Sequence, residues 1–353
     1  MTVIDTLQTL IIRAKQLTRS YEIVLLTSND TRTKNGDDYA DCSVKAEFLS
    51  DEDENVILGA LHRIGFSVRQ FFDEETFISY VSGLNTNTSN IIVINSAQKG
   101  TKIGRKSLIP AICDLYGIRY IGSNPYVVSL CRDKYRCGCI LARNEIQVPA
   151  AWLYHPSRGW YRKPLNSVGK WIVKPNYEAA SIGIDASNIC CSDTMHRKVR
   201  EMAMKYHQEI LAEEFVDGYE VEVPIIVSCN KALSFFPVGI DLDGSGKMGE
   251  RILDYDLRYS DSYDYYDFSN EHPELSTEVL NMAVSVACIL NINGFGRVDF
   301  RISEGGGIYV TDVATNPHYT MGSSYVFLFE RLGFSYDELI ACMIAASLEE
   351  KGE

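Results

Sequence analysis

Apolar runs that alternate with helical segments are the feature that most restricts the fold of the first third of this chain. The predicted strands are Tyr21–Thr27, Phe66–Phe72, Asn90–Asn95 and Arg119–Ile121. Helical patterns at Asp53–Gly65 and Arg105–Tyr116 stand between them, with a glycine at the end of each. Strands that alternate with helices favour a doubly wound parallel sheet, so we expect an α/β unit here.

The rest of the chain follows a different order, with strands adjacent in sequence. Further strands are predicted at Lys170–Pro175, Glu209–Val216, Glu220–Val227, Gly296–Ile302 and Gly307–Val313, and helices at Lys134–Ala142, Thr194–His207 and Glu278–Leu290. Asp217-Gly218 between two of these strands is a hairpin-type turn signal. A mixture of α/β and α+β organisation in three parts is therefore expected.

Charge and hydropathy exclude several classes of protein. A net charge of -13 and a pI near 5.0 argue against a nucleic-acid binder or a protein of anionic membranes. The first twenty residues have helical spacing rather than a secretory pattern, and no apolar run reaches membrane length, so we expect a cytoplasmic protein. Cys131, Cys137 and Cys139 resemble a metal site, but no matching pair follows at zinc spacing, which favours free thiols.

Several charged residues stand where a nucleotide and a metal could be held. Lys134 opens a helix and Lys174 ends a strand, and two lysines on separate rigid elements can bind phosphate oxygens. The segment 176–183 is rich in small residues, which lets backbone N–H groups approach phosphates. Asp299 and Asp312 lie on neighbouring predicted strands. Each alone would suit a solvated strand end, but one or two carboxylates also suffice for magnesium beside phosphates.

The order of these features resembles the ATP-grasp superfamily, specifically D-alanine–D-alanine ligase-like proteins. The similarity is carried by IRYIGSN, RDKYR, WIVKPNYEAASIGI, ILAEEFVDGYEVEV, DLRYSD, GFGRVDF and DVATNPH, from about Gly117 to the C-terminus. It implies an ATP-grasp fold with an N-terminal parallel-sheet domain at 1–123, a small central domain at 124–212 and a C-terminal antiparallel-sheet domain at 213–353. It also implies a carbon–nitrogen ligase that uses ATP and Mg²⁺.

The resemblance assigns roles to individual positions. ATP contacts fall to Lys134, Lys174, Glu178, Ser181, Glu213, Glu214, Phe215, Val216 and Glu220; catalytic roles to Arg297, Arg258 and Tyr259; metal ligands to Asp299, Asp312 and Asn316. Substrate contacts fall to Lys99, Arg105, His318, Ser323 and Ser324, with the two serines holding the carboxylate of an incoming amino acid. The Tyr-rich segment Tyr255–Asn270 corresponds to a mobile loop that covers the site.

Three departures from the family bear on the substrate. Ala314 stands where the family has a ligating side chain, and Asn316 is the proposed substitute. The family's Gly-rich turn with a glutamate for the substrate ammonium is missing after the first strand. A basic segment that contains Lys99 and Arg105 replaces the family's His-Gly segment. It is either a solvated loop or a site for the carboxylate of a larger acidic substrate.

These departures point to specialised metabolism. The chain is similar to the ligases of mycosporine-like amino acid biosynthesis, which join serine or threonine to mycosporine-glycine. Two alternatives stay open: a dipeptide ligase like the D-alanine ligases or those of antibiotic pathways, and a nucleotide-binding homologue without catalysis. The expected partners are small-molecule acids and amino acids, with no nucleic acid or membrane. Relatives commonly form dimers through their N-terminal units, which leaves a homodimer open.

Overall fold

A computed structural model describes residues 2–32, 39, 42–84, 90–162, 164, 169–260 and 262–348. Within these residues the strands form three sheets, one parallel and two largely antiparallel. The polar segment Ser82–Asn90 has the composition of a surface loop, and most of it lies outside the described residues.

The first sheet is parallel, as the alternation of strands and helices predicted. Its elements are α1 (Val3–Leu17), β1 (Glu22–Thr27), α2 (Asp51–Ile64), β2 (Ser67–Phe71), α3 (Glu74–Ser82), β3 (Ile91–Ser96), α4 (Leu108–Tyr116) and β4 (Arg119–Tyr120). The strand order is β2-β1-β3-β4. Ile23 and Leu25 pack into one core cluster and Val24 and Leu26 into another, so β1 is buried on both faces.

Local signals set where these helices end. Gly65 and Gly117 follow α2 and α4 with φ of 111° and 65°, a left-handed conformation that glycine adopts without the steric cost of a Cβ. The helix predicted from Arg105 begins as a 3₁₀ turn, Arg105–Ser107, and becomes α-helical only at Leu108. That turn places Arg105 in the protein interior.

The second sheet is smaller, with the strand order β6-β5-β9-β7-β8. Its elements are α5 (Pro125–Arg132), α6 (Lys134–Arg143), β5 (Ala151–His155), β6 (Gly159–Trp160), β7 (Lys170–Pro175), β8 (Ile189–Cys191), α7 (Ser192–Tyr206) and β9 (Ile210–Glu214). Trp171 of β7 is fully buried and packs in one cluster with Val199 and Met202 of α7. This packing fixes α7 against one face of the sheet.

The third sheet is centred on a long antiparallel pair, β10 and β15. Its elements and the C-terminal helices are β10 (Gly218–Ser228), β11 (Lys231–Leu233), β12 (Val238–Asp241), β13 (Lys247–Gly249), α8 (Tyr255–Tyr259), β14 (Asp264–Asp267), α9 (Pro273–Leu290), β15 (Gly294–Ile302), β16 (Ile308–Ala314), α10 (Ser324–Arg331) and α11 (Tyr336–Ser347). α11 packs against α1 and α2 as well as β15, which ties the first sheet's layer to the third sheet.

The hairpin predicted at Asp217-Gly218 is wrong. β9 pairs with β5 and β7 in the second sheet, whereas β10 pairs with β12 and β15 in the third. Gly218 has a φ of 124°, and a Cβ there would lie 2.1 Å from the carbonyl oxygen of Ile302. The glycine therefore allows the close approach of β10 to β15. The chain between the two strands is a crossing from one sheet to another.

α9 departs from the expectation that no apolar run reaches membrane length, because by length and composition alone it is long and apolar enough to cross a membrane, with a mean hydropathy of 1.2 over 18 residues. One face of it, including Val279, Ala283 and Val286, is buried in the core cluster that contains Phe300 of β15.

The thiols of Cys131 and Cys137 are free and buried, as predicted, while Cys139 is exposed.

The Tyr-rich segment contains more regular structure than the predicted mobile loop. β14 pairs with β12, and Phe268 is fully buried at the start of the 3₁₀ turn that follows. The proposed domain bounds remain a proposal. The one between 212 and 213 falls within β9, and the strands of the second and third sheets are separated by the chain between Glu214 and Gly218.

Candidate functional site

A cleft between the second and third sheets collects most of the charged residues singled out in the sequence. It encloses about 950 Å³ and is open to solvent. Its walls include Lys134, Lys174, Glu178, Ser181, Glu213, Glu214, Phe215, Val216, Glu220, Glu222, Arg258, Arg297, Asp299, Arg301 and Asp312. We call this space the main cleft.

Both predicted phosphate-binding lysines line the main cleft and are largely buried. Lys134 is the first residue of α6, and its Nζ lies 2.6 Å from Oδ2 of Asp312. Lys174 is at the end of β7, and its Nζ lies 2.6 Å from Oε1 of Glu213. Each lysine thus sits beside a carboxylate, and phosphate oxygens could take that carboxylate's place.

The loop of small residues after β7 has an unusual backbone. Ala180 and Ser181 have φ of 49° and 53°, which non-glycine residues adopt rarely and at some energetic cost. Gly183 has a φ of 77°, and a Cβ there would approach the Tyr206 ring to 2.8 Å. The Ser181 hydroxyl donates to the carbonyl of Leu253 at 2.6 Å, so the loop is fastened to the segment that precedes α8.

Among the predicted ATP contacts, the resemblance gives Glu213 to Val216 to the adenine and Glu220 to the ribose. These residues lie where the chain crosses between sheets. The amide of Phe215 donates to Lys170 O at 2.9 Å, and Glu220 faces the main cleft from β10. Arg301 contacts three of the predicted residues. The sequence analysis did not identify Arg301 as a site residue. Its guanidinium stacks over Phe215 at 5.1 Å, bonds to Val216 O at 2.9 Å and lies 3.1 Å from Glu220.

Asp299 and Asp312 are register partners on β15 and β16, with a bulge beginning after Asp299. Burial, with the charges of Glu222 and Asp312, raises the pKa of Asp299 to about 6. Burial also opposes ionisation of Asp312, but the charges of Lys134, Lys174 and Arg297, with the bond from Lys134, together outweigh it and lower the pKa of that carboxyl. A divalent cation would relieve the crowding of negative charge, and two carboxylates suffice when phosphate oxygens complete the shell. The pair therefore fits magnesium.

The third predicted metal ligand is not brought to this pair. Among the described residues, Asn316 lines a neighbouring cavity, and no group of three or more His, Cys, Asp or Glu side chains forms a metal cluster. β16 ends at Ala314, so the chain has left the sheet before it reaches Asn316. The alternation of faces along a strand therefore no longer applies at Asn316 and does not place it on the face of Asp312.

Arg297 is held from two sides in the main cleft. Its Nε and Nη2 donate to the two carboxylate oxygens of Asp299 at 2.7 and 2.8 Å, and its Nη1 lies 3.0 Å from Glu222. Arg258 approaches the same glutamate at 3.5 Å and donates to Tyr263 at 3.1 Å. Tyr259 belongs to α8, but its side chain lies outside the described part of the chain.

A second cavity adjoins the first sheet. It is lined by Glu47, Leu49, Asn95, Ser96, Ala97, Lys106, Ile121, Phe295, Asn316, Pro317, His318 and Tyr319. Burial, together with nearby arginine and lysine charges, lowers the pKa of His318 to about 4, so this imidazole is neutral at physiological pH. The position of His318 agrees with the predicted role of a residue that lines the substrate site, and that role stays a prediction.

Glu47 is the unexpected member of this cavity, because it stands far beyond the end of β1. Arg105, Lys106, Arg132 and Gln98 all place N–H groups near its two oxygens. The same Arg105 guanidinium lies 2.7 Å from Glu178, which is also buried. Three cations and two carboxylates thus form an interior cluster, which we call the ionic cluster.

The remaining predicted substrate residues lie in different places. Lys99 is 59% exposed and pairs with Glu75 on the surface at 2.5 Å, whereas Arg105 is buried within the ionic cluster. Ser323 caps α10 by accepting from the amide of Val326 at 3.4 Å, and Ser324 is fully buried. The structure therefore does not bring Lys99 and Arg105 together as one basic surface.

Comparisons with known proteins agree with this geometry. The D-ala D-ala ligase C-terminus family matches residues 168–345, half of the chain. The chain belongs to this family. It is 28% identical to the D-alanine–D-alanine ligase of Natranaerobius thermophilus over 275 residues, which is 75% of this chain and 72% of the relative. It is 30% identical to the enzyme of Geobacillus thermodenitrificans over 186 residues, 51% of this chain and 47% of that relative.

Solved structures show the same fold at lower sequence identity. The D-alanine–D-alanine ligase of Bacillus anthracis complexed with ATP superposes with a TM-score of 0.67 at 17% identity, over 93% of this chain and 97% of that one. The D-Ala:D-Ser ligase VanG of Enterococcus faecalis gives 0.66 at 15% identity, over 93% of this chain and 100% of that one. The fold is ATP-grasp, as the resemblance implied, and the relatives support a carbon–nitrogen ligase.

Proposed function

We propose that this protein activates an acid by phosphorylation and couples it to the amine of an amino acid, in the manner of a dipeptide ligase. The observation that carries the proposal is the meeting of Lys134, Lys174, Arg297 and the Asp299–Asp312 pair in one cleft. The proteins most similar in sequence among the relatives named above are D-alanine–D-alanine ligases, which favours dipeptide-type coupling.

The cleft supplies the groups that such a reaction requires. Lys134 and Lys174 would bind the phosphates of ATP. Phe215 and Val216 would contact its adenine, and Glu220 would bind its ribose. Asp299 and Asp312 would hold magnesium, whose charge when bound offsets that of the phosphates.

In the first step an oxygen of the acid attacks the γ-phosphorus, and the bond to the ADP oxygen breaks. Arg297 would stabilise the charge on the moving phosphoryl group. In the second step the amine attacks the activated carbon, phosphate leaves, and the nitrogen loses a proton. The fastened loop at Ser181 would help to exclude water, which otherwise hydrolyses the activated acid.

The ionic cluster bears on which acid is activated. A carboxylate has about four acceptor positions. Among the described residues, five N–H to oxygen contacts reach Glu47, two of them from Arg132. Its capacity is filled, so it is not available to receive a substrate ammonium group. Lys106 is 18% exposed at the cavity wall. Among the described residues its Nζ pairs with Glu47 alone, which leaves two of its three N–H donors for an anion.

This charge balance favours a second candidate for the acid. Three cations against two carboxylates leave the ionic cluster with a surplus of one positive charge. An acid that offers a carboxylate to Lys106 and has no free α-ammonium suits the second cavity. Mycosporine-glycine is such an acid, so a mycosporine-glycine ligase that adds serine or threonine is the finer proposal.

A phosphate-release screen separates the candidates. The protein would be incubated with ATP and Mg²⁺ and either with pairs of amino acids or with mycosporine-glycine plus serine or threonine. Release with amino acid pairs alone would establish the dipeptide ligase and contradict the finer proposal. Phosphate release only with mycosporine-glycine and serine or threonine would support the finer proposal and contradict the dipeptide ligase. If neither set of substrates gives release, the non-catalytic alternative is supported instead.

A homodimer through the N-terminal unit is also proposed. Large apolar side chains are exposed on several of its elements, including Ile12 of α1, Phe72 after β2 and Leu115 of α4, which is 74% exposed. Contiguous exposed apolar surface marks interaction sites, and the proposal is that these side chains contribute to one. Sedimentation equilibrium would test the proposal, and a mass of one chain at micromolar concentration would contradict it.

A further inference from the structure

Glu222 is a buried acidic residue in an otherwise apolar stretch of β10. Its neighbours Val221 and Val223 are fully buried in the core beneath the sheet, whereas Glu222 points to the opposite face and lines the main cleft. The residue is only 3% exposed. A carboxylate at this depth is costly unless it is paired, so its partners define what it does.

Those partners are Arg258 and Arg297, two of the three described arginines that line the main cleft. Oε2 of Glu222 lies 3.0 Å from Nη1 of Arg297, and Oε1 lies 3.5 Å from Nη1 of Arg258. The Tyr265 hydroxyl donates weakly to Oε2 at 3.5 Å. Each carboxylate oxygen therefore faces one guanidinium group, and Glu222 joins Arg258 of α8 to Arg297 of β15.

Two buried guanidinium groups repel each other unless an anion lies between them. Among the described residues Asp299 pairs with Arg297, whose Nε and Nη2 donate to its two oxygens, and not with Arg258. Glu220 shares the face of β10 with Glu222 but pairs with Arg301 at 3.1 Å. Glu222 is thus the carboxylate that the described residues place between the arginine pair.

We propose that Glu222 is a positioning residue that holds Arg258 and Arg297 side by side, so that both guanidinium groups meet the phosphoryl group during its transfer. The inference rests on the proposed phosphorylation of the acid. Glu222 itself would touch neither the phosphate nor the metal, because its oxygens are directed to the arginines. It acts by fixing the donors before the reaction, which is where preorganised charge is most effective.

The test uses probes that do not depend on the acid substrate. ADP with Mg²⁺ measures the nucleotide site, and ADP with Mg²⁺ and fluoroaluminate mimics the phosphoryl group in transfer. Affinities for both would be measured by calorimetry on wild type, Glu222→Gln, Glu222→Asp and Glu74→Gln. Glu74 is the matched control, because it is a buried glutamate of α3, 4% exposed, and is not among the residues that line the main cleft.

We expect Glu222→Gln to bind ADP as wild type does but to lose about tenfold or more of the fluoroaluminate affinity, since the arginines are no longer aligned. Glu222→Asp should recover part of that loss, and Glu74→Gln should match wild type. If Glu222→Gln lost affinity for ADP and for the fluoroaluminate complex by the same factor, the role of Glu222 would be merely structural and the inference would be overturned.

Two further results would also overturn it. An altered Mg²⁺ requirement for ADP binding in Glu222→Gln would make Glu222 a metal ligand instead. Unchanged fluoroaluminate affinity in the same variant would show that the arginines need no such support. If wild type itself binds no ADP with Mg²⁺, the proposed function fails first, and this result is distinguishable from a failure confined to the variant.

Discussion

Removal of Arg105 should destabilise the protein by an amount that only a buried ion pair explains. The Arg105 side chain is 2% exposed, and its guanidinium lies 3.2 Å from Glu47 and 2.7 Å from Glu178, with a third bond to Gln98 at 3.1 Å. Arg105→Met keeps the aliphatic volume but leaves buried carboxylates with less compensation. Breaking one side of a buried pair costs about 3–5 kcal/mol.

The expected change in thermal stability follows from the size of the chain. Unfolding entropy of about 2.1 cal/mol/K per residue gives roughly 0.7 kcal/mol/K for this length, so the loss corresponds to about 4–7 °C in Tm. Thermal and urea unfolding of Arg105→Met would measure it. The matched control is Lys99→Met, because Lys99 and Glu75 pair at 2.5 Å but are 59% and 69% exposed. A surface pair of this kind contributes less than about 1 kcal/mol.

A double-mutant cycle with Glu178→Gln gives the decisive comparison. Because the two side chains are direct partners, the double variant should be more stable than the sum of the single losses predicts, by about 1–3 kcal/mol. Additive losses, or a loss for Arg105→Met as small as that for Lys99→Met, would refute the reasoning. If Arg105→Met raised the KM for the acid substrate and left stability unchanged, this result would instead support the direct substrate contact that the sequence suggested for Arg105.

Three other outcomes follow from contacts in the described structure. Tyr325→Phe should cost about 1–3 kcal/mol in urea unfolding, because its buried hydroxyl bonds backbone groups of both β10 and β15, including the Gly296 amide at 3.1 Å. Gly183→Ala should weaken ADP binding, measured by calorimetry, since the added Cβ meets Tyr206 at 2.8 Å and the φ of 77° disfavours alanine. The charges of the surrounding cations outweigh burial and hold the pKa of Glu47 well below its usual range. The ionised carboxylate therefore stabilises the fold fully above about pH 4.5, and this contribution to stability is lost as pH falls through the folded pKa. The stability difference between wild type and Glu47→Gln, from urea unfolding at pH 7 to 3.5, should therefore narrow on acidification.

The first sheet was predictable because its signals are local. β1 and β3 are apolar runs buried on both faces, and Gly65 and Gly117 end the helices that the periodicity predicted. Residues of the main cleft could also be predicted from the sequence, since Lys134, Lys174 and Asp299 stand in motifs whose order along the chain is characteristic of the ATP-grasp superfamily. These residues line one space because strand ends and a helix start converge there.

Pairing between distant segments was not predictable from local signals. Asp217-Gly218 has the composition of a hairpin turn, yet the strands beside it pair with partners elsewhere. Glu47 was overlooked because the chain between β1 and α2 is long and has no motif. Its position became meaningful only when Arg105 and Arg132 were seen to surround it. For Glu222 a signal did exist, since it shares the parity of Glu220 in an alternating strand.

β15 shows why the core and the candidate site cannot be separated in this protein. Arg297, Asp299 and Arg301 line the main cleft, while Val298 and Phe300 alternate with them and pack in the core on the other face. A strand can bury so much charge only when neighbouring elements supply opposite charges. β10 does this with Glu220 and Glu222, and the Asp299–Arg297 contact completes the set. The site is therefore built from pairs, and loss of one charged side chain leaves a partner buried and uncompensated. Substitutions there that remove a charge should consequently lower the stability of the fold as well as catalysis.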